Sequence, residues 1–515
     1  MPDQFDAVVV GSGPNGLAAA VTLTAAGLRV LVLEGAPSPG GGCRTEELTL
    51  PGFRHDVCSA AHPLALASPF FRAFNLAARG VDFSFAAAEF AHPLDGGRAA
   101  VVTRSVIDTA SGLGADAAPY RRLFGPLADD AGAIADLVLS DLRRPPGEPL
   151  AAARYGLPAI RSARRIAARF RTQEGRALIA GVSAHAAMPL DRPPTGGLGI
   201  FLTLLAHTAG WPVVVGGSAR IIDALAHYVR DGGGQIETGR SVSSLRDLPP
   251  ARATLLDVSP RAFLGLAGDA LPAGPYRRAI ERFRYGNGIF KTDYALAGPV
   301  PWASPGCRRA GTLHLGGTFE EVARSEADVA AGRHPRKPYV LVVQPAGLDP
   351  SRAPAGRHVL WAYCHVPAGS DADMTEAIEA QIERFAPGFR DLVLARATRT
   401  AAGEEALNPN YVGGDISAGQ MTLRQTFLRP AAQLNPYRTP LPGVYLCSSS
   451  TPPGPGVHGR CGELAARSAL REVFGIRRPP DLSAERPPAP RPVLSGRRGR
   501  AAGRRQRPPE SWSGR

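Results

Sequence analysis

Lysine is almost missing from this chain. Of 59 basic residues in 515, only Lys291 and Lys337 are lysines; the other 57 are arginines. A position that keeps lysine against that bias is a candidate for a role that a compact ammonium fills and a planar guanidinium does not. Cysteine is also scarce. The six at 43, 58, 307, 364, 447 and 461 form no C-x-x-C pair and no zinc-ligand spacing, which excludes a zinc module and leaves no local thiol pair for a disulfide relay. That usage fits a reducing, cytoplasmic compartment. Long apolar runs are absent, since the longest, "LGIFLTLLA" at 198–206, falls far below the ~18 residues of a membrane span. The opening "MPDQFDAVVV" has acidic residues where a secretory leader needs basic ones and is read as the first strand. Aromatics make up 7% of the chain, with four tryptophans, and give no sign of a cage for an organic cation.

The charge is uneven. Residues 477–515 hold eleven arginines against three acidic residues, a surplus of +8 within a total of +14, so the body is only about +6. This argues against nucleic acid as a partner. The segment from 476 onward is too rich in Pro, Gly and Arg to bury a core and is expected to be a disordered basic tail. The rest, with 44% apolar residues and 59 glycines, suits a turn-rich globular protein of two or more domains.

The run "DAVVVGSGPNGLAAAVTLTAAGLRVLVLEGA" orders a β-branched strand, the loop Gly11-Ser12-Gly13-Pro14-Asn15-Gly16, an alanine-rich helix, a stop at Gly27, a second strand and Glu34. That is a dinucleotide fingerprint in its proper context. Gly11 allows the turn, Gly13 lets backbone approach a pyrophosphate, Gly16 lets helix and strand pack, and the helix N-terminus faces the anion. Glu34 is placed to accept from a ribose hydroxyl and to repel a 2′-phosphate. Shortly after comes "PSPGGGCRTEEL", where Gly41, Gly42, Arg44 and Thr45 are expected to form a second anion-binding turn. Near the end, Gly454-x-Gly456-x-x-Gly459 matches a fingerprint formally, but no strand and acidic residue follow it, which makes a separate NADPH site doubtful.

These elements resemble the FAD-dependent amine oxidase and phytoene desaturase superfamily. "FRYGNGIFKTDYALAGPVPW", "NPNYVGGDISAGQMTLRQTFLRP" and "GVYLCSSSTPPGPGVHGRCGELAAR" are similar to its phytoene desaturase-like subgroup, which includes pyridine nucleotide-disulfide oxidoreductase domain-containing protein two. The resemblance implies FAD as cofactor, a strand edge around Val242 against the adenine, and a helix starting near Val457 whose N-terminus, with Gly456, faces the flavin pyrimidine edge. His458 is left open between flavin or substrate contact and packing in the turn. In relatives a lysine at the place of Lys291 holds a water against flavin N5, which implies a catalytic role for Lys291.

The expected fold is α/β: a Rossmann-like FAD-binding domain from 1–80, 211–284 and 431–475, and a discontinuous mixed α/β substrate domain from 81–210 and 285–430. The first insertion reads as helical, while "YVLVVQPA" and "HVLWAYCHVP" in the second read as strands. The apolar helix after "MPLDRPPTGG" suits a pocket wall. Residues 154–176 carry seven arginines, with Ile160, Ala163, Ile166, Ala167 and Phe170 near one helical face, a pattern that allows peripheral contact with an anionic membrane. The expected chemistry is hydride transfer from a small apolar substrate, with isoprenoids among the candidates, to flavin N5. Amine oxidation and a flavin-binding regulator with little catalysis are the rivals. No residue stands out as a general base.

Overall fold

A computed structural model of the chain describes residues 5–484 together with 487 and 488. The apolar runs AVVV and VLVL are buried along their whole length, as expected for parallel strands covered on both faces. They stand at the centre of a five-stranded sheet in the order Val444–Leu446, Ala253–Leu256, Ala7–Val10, Val30–Leu33, Gln235–Glu237, all parallel. Helix Pro14–Ala25 covers one face, flanked by Ala219–Asp231 and Arg460–Glu472. The other face carries Pro260–Ala267, which buries Phe263 and Leu266 against Val8, Val10 and Leu256.

A seven-stranded sheet runs in the order Val393–Arg399, Gly288–Leu296, His358–Val366, Val340–Val343, Ala310–Leu315, Ala88–Pro93, Ala99–Val102. All its pairs are antiparallel except Ala310–Leu315 with Ala88–Pro93. Helix Thr375–Phe385 packs on one face through Ile378, Ile382 and Phe385. The opposite face looks across the cavity described below toward a helical layer that includes Ala117–Asp129, Gln173–Ser183 and Thr195–Thr208.

Several expectations need correction. The first insertion is not wholly helical, because 88–93 and 99–102 supply two strands of the second sheet; they pair with each other as a local hairpin, and only the join of 88–93 to 310–315 is distant in the chain. The basic stretch is not one amphipathic helix. It breaks at Ser162 and Thr172, whose hydroxyls accept from Arg165 N and Gly175 N and start new helices. Ala163, Ile166, Ala167 and Phe170 are buried in the core, and Ile160 alone of that set is exposed. The strand expected to end near Val242 spans only Gln235–Glu237, with a loop following. Packing continues past 476: Leu482 is buried in the core of the five-stranded-sheet domain, and Arg79 donates to the carbonyls of Leu482 and Ala484. The rest of the expected tail lies outside the described residues. Among the described residues no helix is long and apolar enough to cross a membrane.

One buried arginine ties the parts together. Arg352 donates through Nη2 to Asp56 at 2.9 Å and to the Val214 carbonyl at 3.1 Å, and through Nε to Asp349 at 2.9 Å. Asp56 in turn accepts from Thr45 Oγ1, Ser218 N and Ser218 Oγ at 2.8–2.9 Å. Burial pushes the Asp56 carboxyl upward, but Arg352 and the Ser218 amide outweigh it and hold the group below the usual carboxylate range. Removing one partner of such a unit strands its carboxylates in a dry site. Arg352→Leu is therefore expected to lose about 3–5 kcal/mol of stability, read as a lower urea midpoint; an unchanged midpoint would show that the unit is not a structural tie.

Candidate active site

A cavity of about 950 Å³ opens at the carboxyl ends of the parallel strands and continues onto the seven-stranded sheet. This is where ligands bind in doubly wound folds, and the size is at the upper end of ordinary ligand pockets. Its end beside the parallel sheet is built from three loops. Gly11, Ser12, Gly13, Pro14 and Asn15 line it from the first loop; Gly41, Gly42 and Arg44 line it from the second. The loops touch, since a Cβ on Gly41, at φ +54°, would stand 3.3 Å from Gly13 Cα. Gly456, at φ +123°, and Val457 line the cavity from the far end of the chain, and Asn15 Nδ2 donates across to Ser449 Oγ at 3.1 Å.

Glu34 stands at the end of its strand on the cavity wall. Its carboxylate accepts from Ser12 N at 2.8 Å, Ser12 Oγ at 2.6 Å and Ala36 N at 2.8 Å. A carboxylate offers about four acceptor sites, so room remains for one hydroxyl. Val242 lines the cavity beside Arg240 and Ser241. These residues come together as expected.

Gly16 packs closely as expected, and Thr45, His458 and Lys291 do not line the cavity. Gly16 lies below the loop and gives its N–H to Asp257 Oδ2 at 2.8 Å. Thr45 faces inward, bonded to Asp56 and accepting from Ala219 N at 3.2 Å, so it fixes the loop rather than lining the cavity. His458 is fully buried: Nδ1 accepts from Arg460 N at 3.0 Å and Nε2 meets the Gly454 carbonyl at 3.1 Å. It caps the last helix, and burial keeps it neutral by lowering its pKa to about 4. That helix spans Arg460–Glu472, three residues later than expected. Lys291 lies 5.6 Å from the centroid of the Trp361 ring, is buried, and is ion-paired to Asp293. Trp361 lines the cavity; Lys291 is not among the lining residues.

Other lining groups carry no sequence signal. Asp257, under the glycine loop, has its pKa pushed up to about 7, mainly by burial and further by Glu34, against the pull of the Gly16 amide. Asn410 closes the loop above it, accepting from Ser259 N at 2.7 Å and donating to the Asp257 carbonyl at 3.2 Å. Tyr411 packs on Gly42, where a Cβ would stand 2.2 Å from its hydroxyl. His62 lines the cavity, and burial lowers its pKa to about 4 against the pull of Asp56 and the Ser59 backbone.

A family profile for an NAD(P)-binding Rossmann-like domain matches residues 9–75. Pyridine nucleotide-disulfide oxidoreductase domain-containing protein 2 of rat and mouse is 25% and 27% identical, over 91% of this chain and 94% of each relative. Among solved structures, an oxidoreductase from Methanosarcina mazei superposes with TM-score 0.60 at 18% identity, covering 90% of this chain and all of that one. Putrescine oxidase bound to putrescine superposes with TM-score 0.56 at 17% identity, covering 92% and 99%. The chain shares its overall fold with these solved oxidoreductases.

The fold also brings together two cysteines that are apart in sequence. Cys43 and Cys58 both line the cavity, although all six cysteines are free thiols. Burial raises Cys43 well above the ordinary thiol value, with Cys58 and Asp56 adding to it, and raises Cys58 to about 11 together with Glu404, against the pull of Tyr411, Lys291 and Arg399. Disulfide exchange needs a thiolate, the form that burial disfavours at both side chains.

The site depends on a close helix contact. A Cβ on Gly462 would stand 1.8 Å from the Asn15 carbonyl oxygen. Gly462→Ala is expected to destabilise the protein by about 1–3 kcal/mol through overpacking, although alanine is the better helix former. Gly156→Ala, at a helix position with open space around it, should gain up to about 1 kcal/mol. Equal effects in thermal melts would contradict the contact.

Proposed function

We propose that the cavity binds FAD and that the protein is an FAD-dependent oxidoreductase that removes a hydride from an apolar substrate. The observation that carries this reading is the meeting of two glycine turns from opposite ends of the chain, with Glu34, in one cavity that continues onto an apolar sheet floor. The fit is supported by buried Asn15 Oδ1, a cavity-lining acceptor without a partner among the described residues, and by backbone at Gly11, Gly13 and Gly41 where an added Cβ would crowd its neighbours at 2.9–3.3 Å. When bound, FAD supplies a hydride acceptor at N5 of its ring. The loops of 11–15 and 41–44 would hold the pyrophosphate through amides and Arg44, Glu34 would take the ribose, and the 456–457 turn would present amides to the ring.

Amine oxidation is the alternative favoured by the likeness to putrescine oxidase. Against it, the floor offers Trp361 and Tyr363 edge to face, at 5.2 Å and 80°, and Lys291 already stands over the Trp361 ring. A substrate ammonium needs a free ring face, and Lys291 already occupies one on Trp361. Release and identification of the cofactor, then anaerobic reduction by candidate substrates, tests the reading. A protein that refuses FAD ends it, and one that binds FAD but is reduced by nothing is a regulator.

Asp257 gives a pH test. Its protonated form tolerates a neighbouring pyrophosphate and its anion does not, so bound FAD should raise its pKa above the free value of about 7. FAD affinity is expected to fall above pH 7, by at most about tenfold per unit, and Asp257→Asn should flatten the profile. Equal slopes in the two proteins would remove Asp257 from cofactor binding.

Lys291 remains the proposed catalytic cation, acting past Trp361. Lys291→Met alone strands a buried Asp293 carboxylate and should cost about 3–5 kcal/mol. Adding Asp293→Asn should restore much of that stability while flavin reoxidation stays slower by roughly tenfold. Wild-type reoxidation in the stable double variant would assign the pair to structure alone.

A further inference from the structure

The substrate end of the cavity has an apolar body and a polar end. Helix Thr195–Thr208 presents Leu198 and Leu202, four residues apart on one face, opposite Leu341 and Val343 of the sheet. Beside them, two cavity-lining polar atoms are buried with no partner among the described residues: Thr312 Oγ1 and Trp361 Nε1. The strand register places both in one row, because Thr312 pairs with Val343 and Val343 with Trp361. Polar atoms left unpaired in a dry wall are uncommon and point to an absent ligand group.

A third group adjoins them. His185 lines the cavity, and its Nε2 lies 2.9 Å from Nε2 of His314, which is fully buried two residues beyond Thr312 on the same strand. One of these nitrogens must donate. His314 Nδ1 is buried without a partner, and orphaned N–H groups are rarer than orphaned acceptors. Neighbouring His92 shows the same choice: its Nε2 donates to the Gly317 carbonyl at 2.7 Å, leaving Nδ1 bare. His314 therefore donates from Nε2, and His185, accepting there, carries its proton on Nδ1. That N–H has no partner among the described residues. Burial lowers the pKa of His185 to about 3, which keeps its ring neutral at physiological pH.

In that tautomer His185 offers a donor, as the Trp361 indole does, and the Thr312 hydroxyl can donate as well. We propose that this end of the cavity recognises an apolar molecule by a hydrogen-bond-accepting head, a carbonyl or carboxylate oxygen, held by His185, Thr312 and Trp361. This rests on the oxidoreductase reading and narrows it. A pure hydrocarbon would leave the donors unpaired, and an alkylammonium would set donors against donors.

The test titrates purified full-length protein with decanoate, 2-decanone, decylamine and decane, followed by tryptophan fluorescence and, separately, by the cofactor absorbance. Decanoate or 2-decanone should bind at least tenfold more tightly than decylamine or decane, and which of the two wins distinguishes carboxylate from ketone. Thr312→Val and Trp361→Phe should each weaken that ligand roughly three- to tenfold. Thr312→Val should not lower the melting temperature, because the lost hydroxyl has no protein partner; a merely structural threonine would show the reverse pattern. Decylamine or decane binding as tightly as the oxygen compounds, or unchanged affinity in Thr312→Val, overturns the proposal. A colourless protein that still selects the oxygen compounds by fluorescence would sink the FAD reading and keep this one.

Discussion

The site depends on how closely two helices approach at their starting ends. Helix Pro14–Ala25 follows the first strand and Arg460–Glu472 comes from the other end of the fold, and only the absence of a Cβ at Gly462 lets the second lie against the Asn15 carbonyl. Gly16 makes the matching approach beneath, where a Cβ would stand 2.1 Å from the Gly11 carbonyl oxygen. Close packing of backbone on backbone leaves little freedom in rotation or register. The turn at 456–457 is thereby carried to the mouth of the first loop, and a single cavity gathers amides from both. Moving either helix outward by the width of a methyl group would split that cavity.

The second loop is held by electrostatics instead. Thr45, Asp56, Ser218, Arg352 and Asp349 form one dry network in which two carboxylates share one guanidinium and several N–H and O–H donors. Buried charge is unfavourable unless nearly every lone pair and proton is matched. Here the matching groups come from four separate segments, so the unit can form only when the Arg44 loop, the strand at 55–56, the 216–218 turn and the segment around 349–352 are all in place. This explains why Thr45 turns away from the cavity while its neighbour Arg44 faces it: adjacent residues in an extended chain point to opposite sides.

What could be read from sequence were features whose cause is local. Gly11, Gly13 and Gly16 announce a turn and a helix start because backbone sterics act within a few residues, and Glu34 follows at the distance one βαβ unit sets. What could not be read depends on partners brought near by the fold. Asp257 looks like any carboxylate closing a short strand until parallel pairing of 7–10 with 253–256 lays it under Gly16. His185 and His314 meet although they lie in separate insertions. The late start of the final helix has a local cause that is hard to weigh in advance. Gly454, Gly456 and Gly459 all take positive φ, and His458 caps at Arg460, which holds 454–459 as a turn rather than a first helical turn.

The scarcity of lysine then takes on a physical meaning. Lys291 is buried on the cavity-facing side of the sheet, where a lone ammonium would be strongly unfavourable. Asp293 neutralises it from two residues along the same strand, and burial raises the Asp293 carboxyl even against that pull. The pair places a directed dipole behind Trp361 rather than a net charge. With His62 and His185 both held neutral by burial, the substrate end offers no free cation or anion among its lining side chains. Discrimination there must come from hydrogen-bond direction and shape.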